Sequence, residues 1–391
     1  MNGQRKTKKQ LLEDLQREPE HSIALQEVSN KVATAHNTDE VLDLIVNEAD
    51  RRVCRLHPLI GGRHSVGGER IRQRVNLHHE AAGGGGRITG YTSDPVRRID
   101  MKQITSNVWV ETETRGCNFG FVTTTDGIVM IDSPHKPTTA IWLKLEIEKR
   151  GLLRYIINTE PHGDHWTGNA FFDAPVIAHE GVRTRMLNTD MAEHAARVGT
   201  FGPDEPALLE DYTANFPVVT FRDTMTMHVG DHTFEMIHMP GHTLYQAAVI
   251  IKEEGVVFTS DNIFNGVHSW LHEADPDLWL VALESLRGLN EDIFVPGHGD
   301  MCGKGYLDEQ GAFISEWKDY VQNAVDRGMT REESVSTLTA LIDRYPMDVE
   351  QAALAPMVMG INAGNLYDYL TGPWPPASMG TVATRLPGDD K

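Results

Sequence analysis

Five short runs of this sequence carry the side chains able to do chemistry. Asp132 ends GIVMID. Glu160, His162, Asp164 and His165 fall in EPHGDHWTGN after LLRYIIN, and His242 lies in PGHT after HTFEMIHM. Asp261 ends GVVFTSD, and His298 ends DIFVPGH. Each run follows an apolar stretch that reads as a strand, and side chains at strand C-termini converge while the backbone holds them rigidly. Delivered this way, Glu160, His162, Asp164, His165, His242, Asp261 and His298 can form a two-metal pocket. Imidazole and carboxylate donors without thiolate suit zinc, iron or manganese. Within EPHGDH, alternate residues of an extended segment point the same way, so Glu160 and His162 are expected to face one metal. Gly163 lets the chain tighten, and Asp164 and His165 then face a second metal as a helix begins. No G-x-S-x-G elbow is present. The chemistry expected is attack by water whose pKa a metal has lowered.

The elements that must position these groups alternate between short strands and helices from residue 104 onward. SNVWVETE and GFVTTTDGIVMID read as hairpin strands turning at Asp126-Gly127. A helix through AIWLKLEIEKR closes at Gly151 and leads into the buried strand LLRYIIN. PVIAH, VVTF, TMTMH, HTFEMIHM, AAVIIKEEGVVFTSD and EDIFVPGH complete the strand set, TMTMH and HTFEMIHM being joined across Gly230-Asp231. The C-terminal runs FISEWKDYVQNAVDRG and TREESVSTLTALIDRY read as helices. Residues 181–216, a mostly helical insertion, and NIFNGVHSWLHEADPDLW, with Asn265, His268, Trp270 and His272, are candidate substrate walls. His135 reads as a loop residue, and His238 as packed or on the surface. His179 either lines the pocket or makes a structural hydrogen bond, and Trp166 sits near the site as a core or rim aromatic.

The motifs resemble those of the metallo-β-lactamase superfamily. Its signature is H-x-H-x-D-H, then a His in a G-H-T-like turn, then an Asp, then a His after a final strand. Over residues 104–320 this chain matches six of those seven positions in order. The resemblance implies an α/β fold, an αββα sandwich with the site along the edge between the sheets. It also implies that Asp261 bridges two metals, that Asp164 orients the attacking hydroxide and carries its proton, and that Asp132 buttresses the ligand loops. The departure is Glu160, where the family usually has His. Glu160 either ligates with His162 and His242, a two-His, one-carboxylate set, or stands behind the ligands so that only Asp164, His165 and His298 hold a metal. Ligation is the favoured reading, and the added negative charge would weaken the metal as a Lewis acid.

The implied activity is metal-dependent hydrolysis of a small ester, thioester, lactone or amide, with one or two Zn2+ per chain, iron or manganese being the other metals considered. Asp at position 261 looks more like glyoxalase II and lactonases than β-lactamases, which commonly place Cys or Ser there. The alternative from another class is a mononuclear iron dioxygenase of this fold, similar to persulfide dioxygenases. Flavodiiron proteins place Glu at the second motif position, where this chain keeps His162, and carry a flavodoxin domain absent here.

Composition supports this reading. The 391 residues are 40% hydrophobic and 24% charged, with a formal net charge of −20. Such a molecule is repelled by nucleic acid and anionic lipid, so a small-molecule substrate is expected, with neither nucleic acid nor membrane as partner. The three cysteines are scattered, which suits a reducing compartment. The charged start MNGQRKTKKQLLEDLQREPE lacks the apolar segment of a secretory signal, and a cytoplasmic location is expected. Residues 1–60 read as a helical appendage, and HSIALQEVSNKVATAHNTDEVLDLIVNEADRRV resembles the opening helices of a GAF domain without the strands that complete one. These helices are expected to pack on the main domain or on a second subunit of a homo-oligomer. Residues 61–100 read as a Gly/Arg-rich linker with Gly83–Gly86 in sequence and a solvated His78–His79 pair. Residues 101–391 read as the catalytic domain with its C-terminal helices.

Overall fold

Strand after strand in this chain is apolar on both faces, and the architecture follows from that. The structure, a computed structural model, describes residues 101–337 and 355–372. The expected appendage with its GAF resemblance, the linker and the His78–His79 pair lie outside the described residues. Seven strands form one sheet in sequence order: β1 (Lys102–Gln103), β2 (Val108–Glu111), β3 (Phe119–Thr124), β4 (Gly127–Ile131), β5 (Leu153–Asn158), β6 (Val176–His179) and β7 (Pro217–Phe221). The pairings are antiparallel up to β4 and parallel from β4 to β7. The second sheet runs β12 (Ile293–Gly299), β11 (Val256–Asn265), β10 (Ala247–Ile251), β9 (His232–His238), β8 (Thr224–Val229), antiparallel except for β11 with β12.

Side chains alternate between two cores, as the pleat requires. Val129 and Ile131 of β4 point inward with Val249, Ile251 and Phe258 of the second sheet, filling the space between the sheets. Ile128 and Met130 point outward beneath helix α1 (Pro137–Glu148), against Ala140, Leu143 and Ile147. The outer face of the second sheet is covered in the same way: Ala248, Ile250 and Phe294 pack under Trp279, Leu283, Phe313, Ile314 and Trp317. These belong to α5 (Pro276–Arg287) and α6 (Tyr306–Asp326), with α8 (Ala355–Thr371) alongside. The result is an αββα sandwich. Short helices α2 (Gly163–Trp166), α3 (Glu180–Asn188), α4 (Met191–Gly199) and α7 (Arg331–Ser336) complete the described α-helices. No described helix is long and apolar enough to cross a membrane.

Two local features differ from expectation. Thr124 pairs with Gly127, so the hairpin turns at Thr125-Asp126 and Gly127 opens β4 with φ +110°. A Cβ there would lie 2.6 Å from the Leu152 carbonyl oxygen, so the glycine serves the approach of the neighbouring strand. Strand β11 does not end at Asp261 but runs on to Asn265, with irregular register against β12 around Ser260.

The end of the sandwich opposite the C-termini of β4 and β5 is closed by a polar chain between the sheets. His232, at the start of β9, places Nδ1 2.9 Å from Asp231 and Nε2 3.0 Å from Glu254. Asn107 donates to the same Glu254 oxygen, and the Thr125 backbone N–H donates to Asp231. Burial opposes charge on His232, but the two carboxylates outweigh it and raise its pKa. A raised folded-state pKa stabilises fully below the unfolded imidazole value and fades as pH rises through the folded value. The stability gap between wild type and His232→Gln, read as melting temperature, should therefore be wider at about pH 6 than at about pH 9. A gap that grows toward alkaline pH would remove this chain of ion pairs as a stabilising element.

Candidate metal centre

The loops after β4, β5 and β9, the end of β12 and the middle of β11 meet at one end of the sandwich. The segment after β5 stays extended through His162, which serves as the N-cap of α2 with φ −70° and ψ 148°, and Gly163 then starts the helix. Trp166 anchors the segment by donating from Nε1 to the Pro161 carbonyl, and it stacks on His194. Its role is structural.

The seven expected side chains come together in two groups. Ligand atoms of Glu160, His162, His242 and Asp261 lie within 4.8 Å of one another, as do those of Asp164, His165 and His298. Asp261 stands between the groups. Its Oδ1 is 3.2 Å from His165 Nε2, and its Oδ2 is 3.2 Å from His298 Nε2 and 3.5 Å from His242 Nε2. Glu160 is 0% exposed, with Oε1 2.6 Å from His162 Nδ1 and 3.2 Å from His165 Nε2, and Oε2 3.9 Å from His242 Nε2. His298 Nε2 is 3.4 Å from Asp164 Oδ2.

Apart from His162 Nδ1 and His242 Nε2, in hydrogen-bond contact at 3.3 Å, several of these atoms are close without bonding one another. Both Glu160 carboxylate oxygens, His165 Nε2 and Asp261 Oδ1 are buried with no hydrogen-bond partner. Buried polar atoms normally find partners. Donors crowded together with unmatched lone pairs are what a cation site requires, and the oxygen and imidazole set fits zinc, iron or manganese.

The backbone is strained to achieve this. Among described non-glycine residues only Asp132 and Ser260 have positive φ, 54° each. Left-handed backbone at such residues costs on the order of 1 kcal/mol or more and persists only where the surroundings over-determine it. Thr159 supplies that constraint. Its N–H donates to Asp132 Oδ1 at 2.8 Å, and its hydroxyl lies 2.6 Å from Asp132 Oδ2 and 2.9 Å from Ser260 Oγ. Asp132 in turn lies 2.9 Å from His165 Nδ1, leaving Nε2 to face the cluster. Its place is behind the ligand loop, as the resemblance implied. His242 is oriented likewise, with Nδ1 2.7 Å from the Trp270 carbonyl oxygen.

Burial opposes charge throughout the cluster, and neighbours decide the outcome. For His162 the carboxylates of Glu160 and Glu273 outweigh burial and raise its pKa well above the ordinary value, and Asp132, Glu160 and Asp261 do the same for His165. His298 is raised to about 10 by Asp261 and Asp164 against the effect of burial. Against burial again, His298 and His165 hold Asp261 well below its ordinary value, and these two imidazoles also lower Asp164. His242 is lowered by burial and stays neutral. At His162, His165 and His298 the carboxylates favour the proton, and a cation binding there competes with it.

Other expected residues fall outside the cluster. His179 stacks on His238 at 4.4 Å between ring centroids, so it packs structurally and does not line the pocket. His268 is buried against Phe313 and Trp317, and Asn265 donates to the Asp300 carbonyl. His135 is packed edge-on to Phe201. His272 does reach the site and stacks on His162 at 4.8 Å. Sequence reasoning missed Glu273 and Arg185. Glu273 Oε2 lies 3.5 Å from His162 Nε2, and Arg185 from α3 pairs with it. The signal available was a carboxylate beside His272 in a segment already marked as a wall.

Residues 112–298, which span every element of this cluster, match the Metallo-beta-lactamase superfamily. These residues form a domain of that superfamily. Lactamase-like protein nscB of Arthroderma gypseum is 23% identical over 226 residues, 54% of this chain and 62% of that protein. Acyl-coenzyme A thioesterase MBLAC2 of Gallus gallus is 24% identical over 159 residues, 38% of this chain and 57% of that protein. The chain spans about three fifths of the length of such curated lactamase-like relatives. Among solved structures, the sec-alkylsulfatase Pisa1 from Pseudomonas sp. superposes with a TM-score of 0.52 at 16% identity, over 74% of this chain and 52% of that one. That likeness extends to the superfamily fold.

Gly297, of the second P-G-H run, is fixed by the same geometry: a Cβ there would lie 1.8 Å from Asp261 Oδ1. Gly297→Ala should displace the Asp261 carboxylate and weaken zinc binding by about 10–100-fold, the usual effect of disturbing a ligand's support. Zinc affinity equal to wild type in a chelator competition would dissociate Asp261 from the cation site.

Proposed function

We propose that this chain is a metal-dependent hydrolase that directs water onto the acyl carbon of a small ester or thioester, with lactones and amides as related substrates. One observation carries the proposal: two groups of crowded donors, several of them buried and unsatisfied, meet at the carboxylate of Asp261. In this reading Glu160, His162 and His242 hold one cation, Asp164, His165 and His298 hold the other, and Asp261 serves both. Zinc suits the set best, with iron and manganese compatible. A bound divalent cation supplies Lewis acidity, which polarises a carbonyl and makes water a stronger acid.

The remaining work falls to the chain's own groups. Asp164 is less buried than Asp261, with its side chain 19% exposed against 4%, so its carboxylate faces the opening. With Oδ2 turned to His298, its other oxygen is free to orient water and accept its proton. The fixed imidazoles present lone pairs without reorganising, because Asp132 and the Trp270 carbonyl hold their outer nitrogens. Glu160 alters the electrostatics. Three carboxylates against two divalent cations leave less positive charge than a His in that position would, and the site becomes a milder Lewis acid. The thioesterase named among the relatives supports a thioester as the first substrate to test. Neither motif nor geometry calls for a Ser or Cys nucleophile, and Cys117, whose thiol burial pushes up, lies behind the cluster against the Asp164 carbonyl.

The test pairs metal quantification with a panel of acyl thioesters, lactones and β-lactams, on wild type, Glu160→His and Glu160→Ala. Glu160→Ala should lose about one zinc equivalent per chain, while Glu160→His keeps it, as expected for a directly ligating side chain. Unchanged metal content in Glu160→Ala would move Glu160 behind the ligands. A single iron with oxygen uptake in place of hydrolysis would replace the hydrolase by a dioxygenase.

A further inference from the structure

The first group of ligands rests on two imidazoles, and only one of them is braced by an element already described. His242 is held by the Trp270 carbonyl. The His162 ring is 17% exposed, lies at the rim, and turns its two nitrogens in opposite directions. Nδ1 faces the cluster, 2.6 Å from Glu160 Oε1 and 3.3 Å from His242 Nε2. Nε2 faces away, buried and without a closer partner than Glu273 Oε2 at 3.5 Å. Glu273 is itself 4% exposed and is gripped through both oxygens by the Arg185 guanidinium. The ring of His272, adjacent in sequence, stacks on the face of His162.

A neutral imidazole has two tautomers, and only the one protonated at Nε2 offers a lone pair at Nδ1. A carboxylate beside Nε2 selects that tautomer, stops the ring from rotating and makes Nδ1 more basic. The guanidinium fork fixes both oxygens of that carboxylate and offsets its charge, so the brace adds no further net negative charge to a cluster that already holds three carboxylates. Arg185 lies on α3 and Glu273 in the segment after β11, so the pair also ties two insertions together across the rim.

We propose that Glu273 is a positioning residue that fixes His162 with Nε2 protonated and Nδ1 directed into the cluster, and that Arg185 holds Glu273 for this purpose. The proposal rests on the metal-centre reading above. Its test is zinc affinity of the full chain, measured by competition with a chromophoric chelator, together with the absorption spectrum of the cobalt(II)-loaded protein. Glu273→Ala should weaken one of two zinc equivalents by about 10–100-fold, leave the other unchanged and alter the cobalt bands. Glu273→Gln, whose amide oxygen still accepts from Nε2–H, should recover most of the loss. If Glu273→Ala does not fold, Arg185→Lys reads the same equivalent, since a single ammonium cannot grip both oxygens: a smaller loss supports the proposal, and unchanged affinity overturns it. A Glu273→Ala protein that melts earlier but binds both equivalents and shows the wild-type cobalt spectrum makes Glu273 a structural brace only, and overturns the proposal while leaving the metal centre intact. A wild-type chain that binds none of zinc, cobalt, manganese or iron overturns both.

Discussion

Two carboxylates buried between apolar sheets set the constraint on which the rest of the site depends. Glu160 and Asp261 are almost wholly removed from water, and an isolated carboxylate in such surroundings is strongly unfavourable unless opposite charge stands within a few ångströms. Three imidazoles, His162, His165 and His298, provide that charge, and His242 approaches both carboxylates as a neutral ring. They do so in directions that leave lone pairs unmatched, which a cation resolves and hydrogen bonds alone do not. The left-handed backbone at Asp132 and Ser260, and the contact that only a glycine at position 297 permits, are consequences of holding so many donors so close.

The sandwich explains how such a cluster is held still. Strands β4, β5, β10, β11 and β12 are covered on both faces, so the ends from which the ligands emerge cannot shift without opening one of two cores. Thr159 binds both strained positions through one residue, coupling the end of β4 to the middle of β11 across the sheets. At the far end the His232 ion pairs hold the sheets together. The donor cluster and the structural closure thus lie at opposite ends of the sandwich.

Much of this was legible in the residues. Burial on both faces writes itself as unbroken apolar runs, so the strands were readable, and the runs with Asp132, Glu160 to His165 and His242 follow such strands. The insertion at 181–216 was readable as helical, and α3 and α4 occupy it. What escaped were features created by contact between distant segments. Ser260 gives no glycine signal for its positive φ, so the continuation of β11 past Asp261 was not foreseen. The Arg185–Glu273 pair joins two aperiodic insertions 88 positions apart. His179 carried a choice between pocket and packing that only its stack on His238 decided. Glu160 was read as a departure from a motif, and its three imidazole neighbours, at 2.6 to 3.9 Å, became visible only in the fold.

The central claim is that these side chains form one site for two cations sharing Asp261. Anomalous diffraction above the zinc absorption edge, from crystals of the full chain grown with zinc, tests it most directly. The account predicts two peaks flanking Asp261, one bounded by Glu160, His162 and His242 and the other by Asp164, His165 and His298, with ligand distances of about 2.0–2.2 Å. Absence of any peak within the cluster, or zinc bound only elsewhere on the surface, would contradict it.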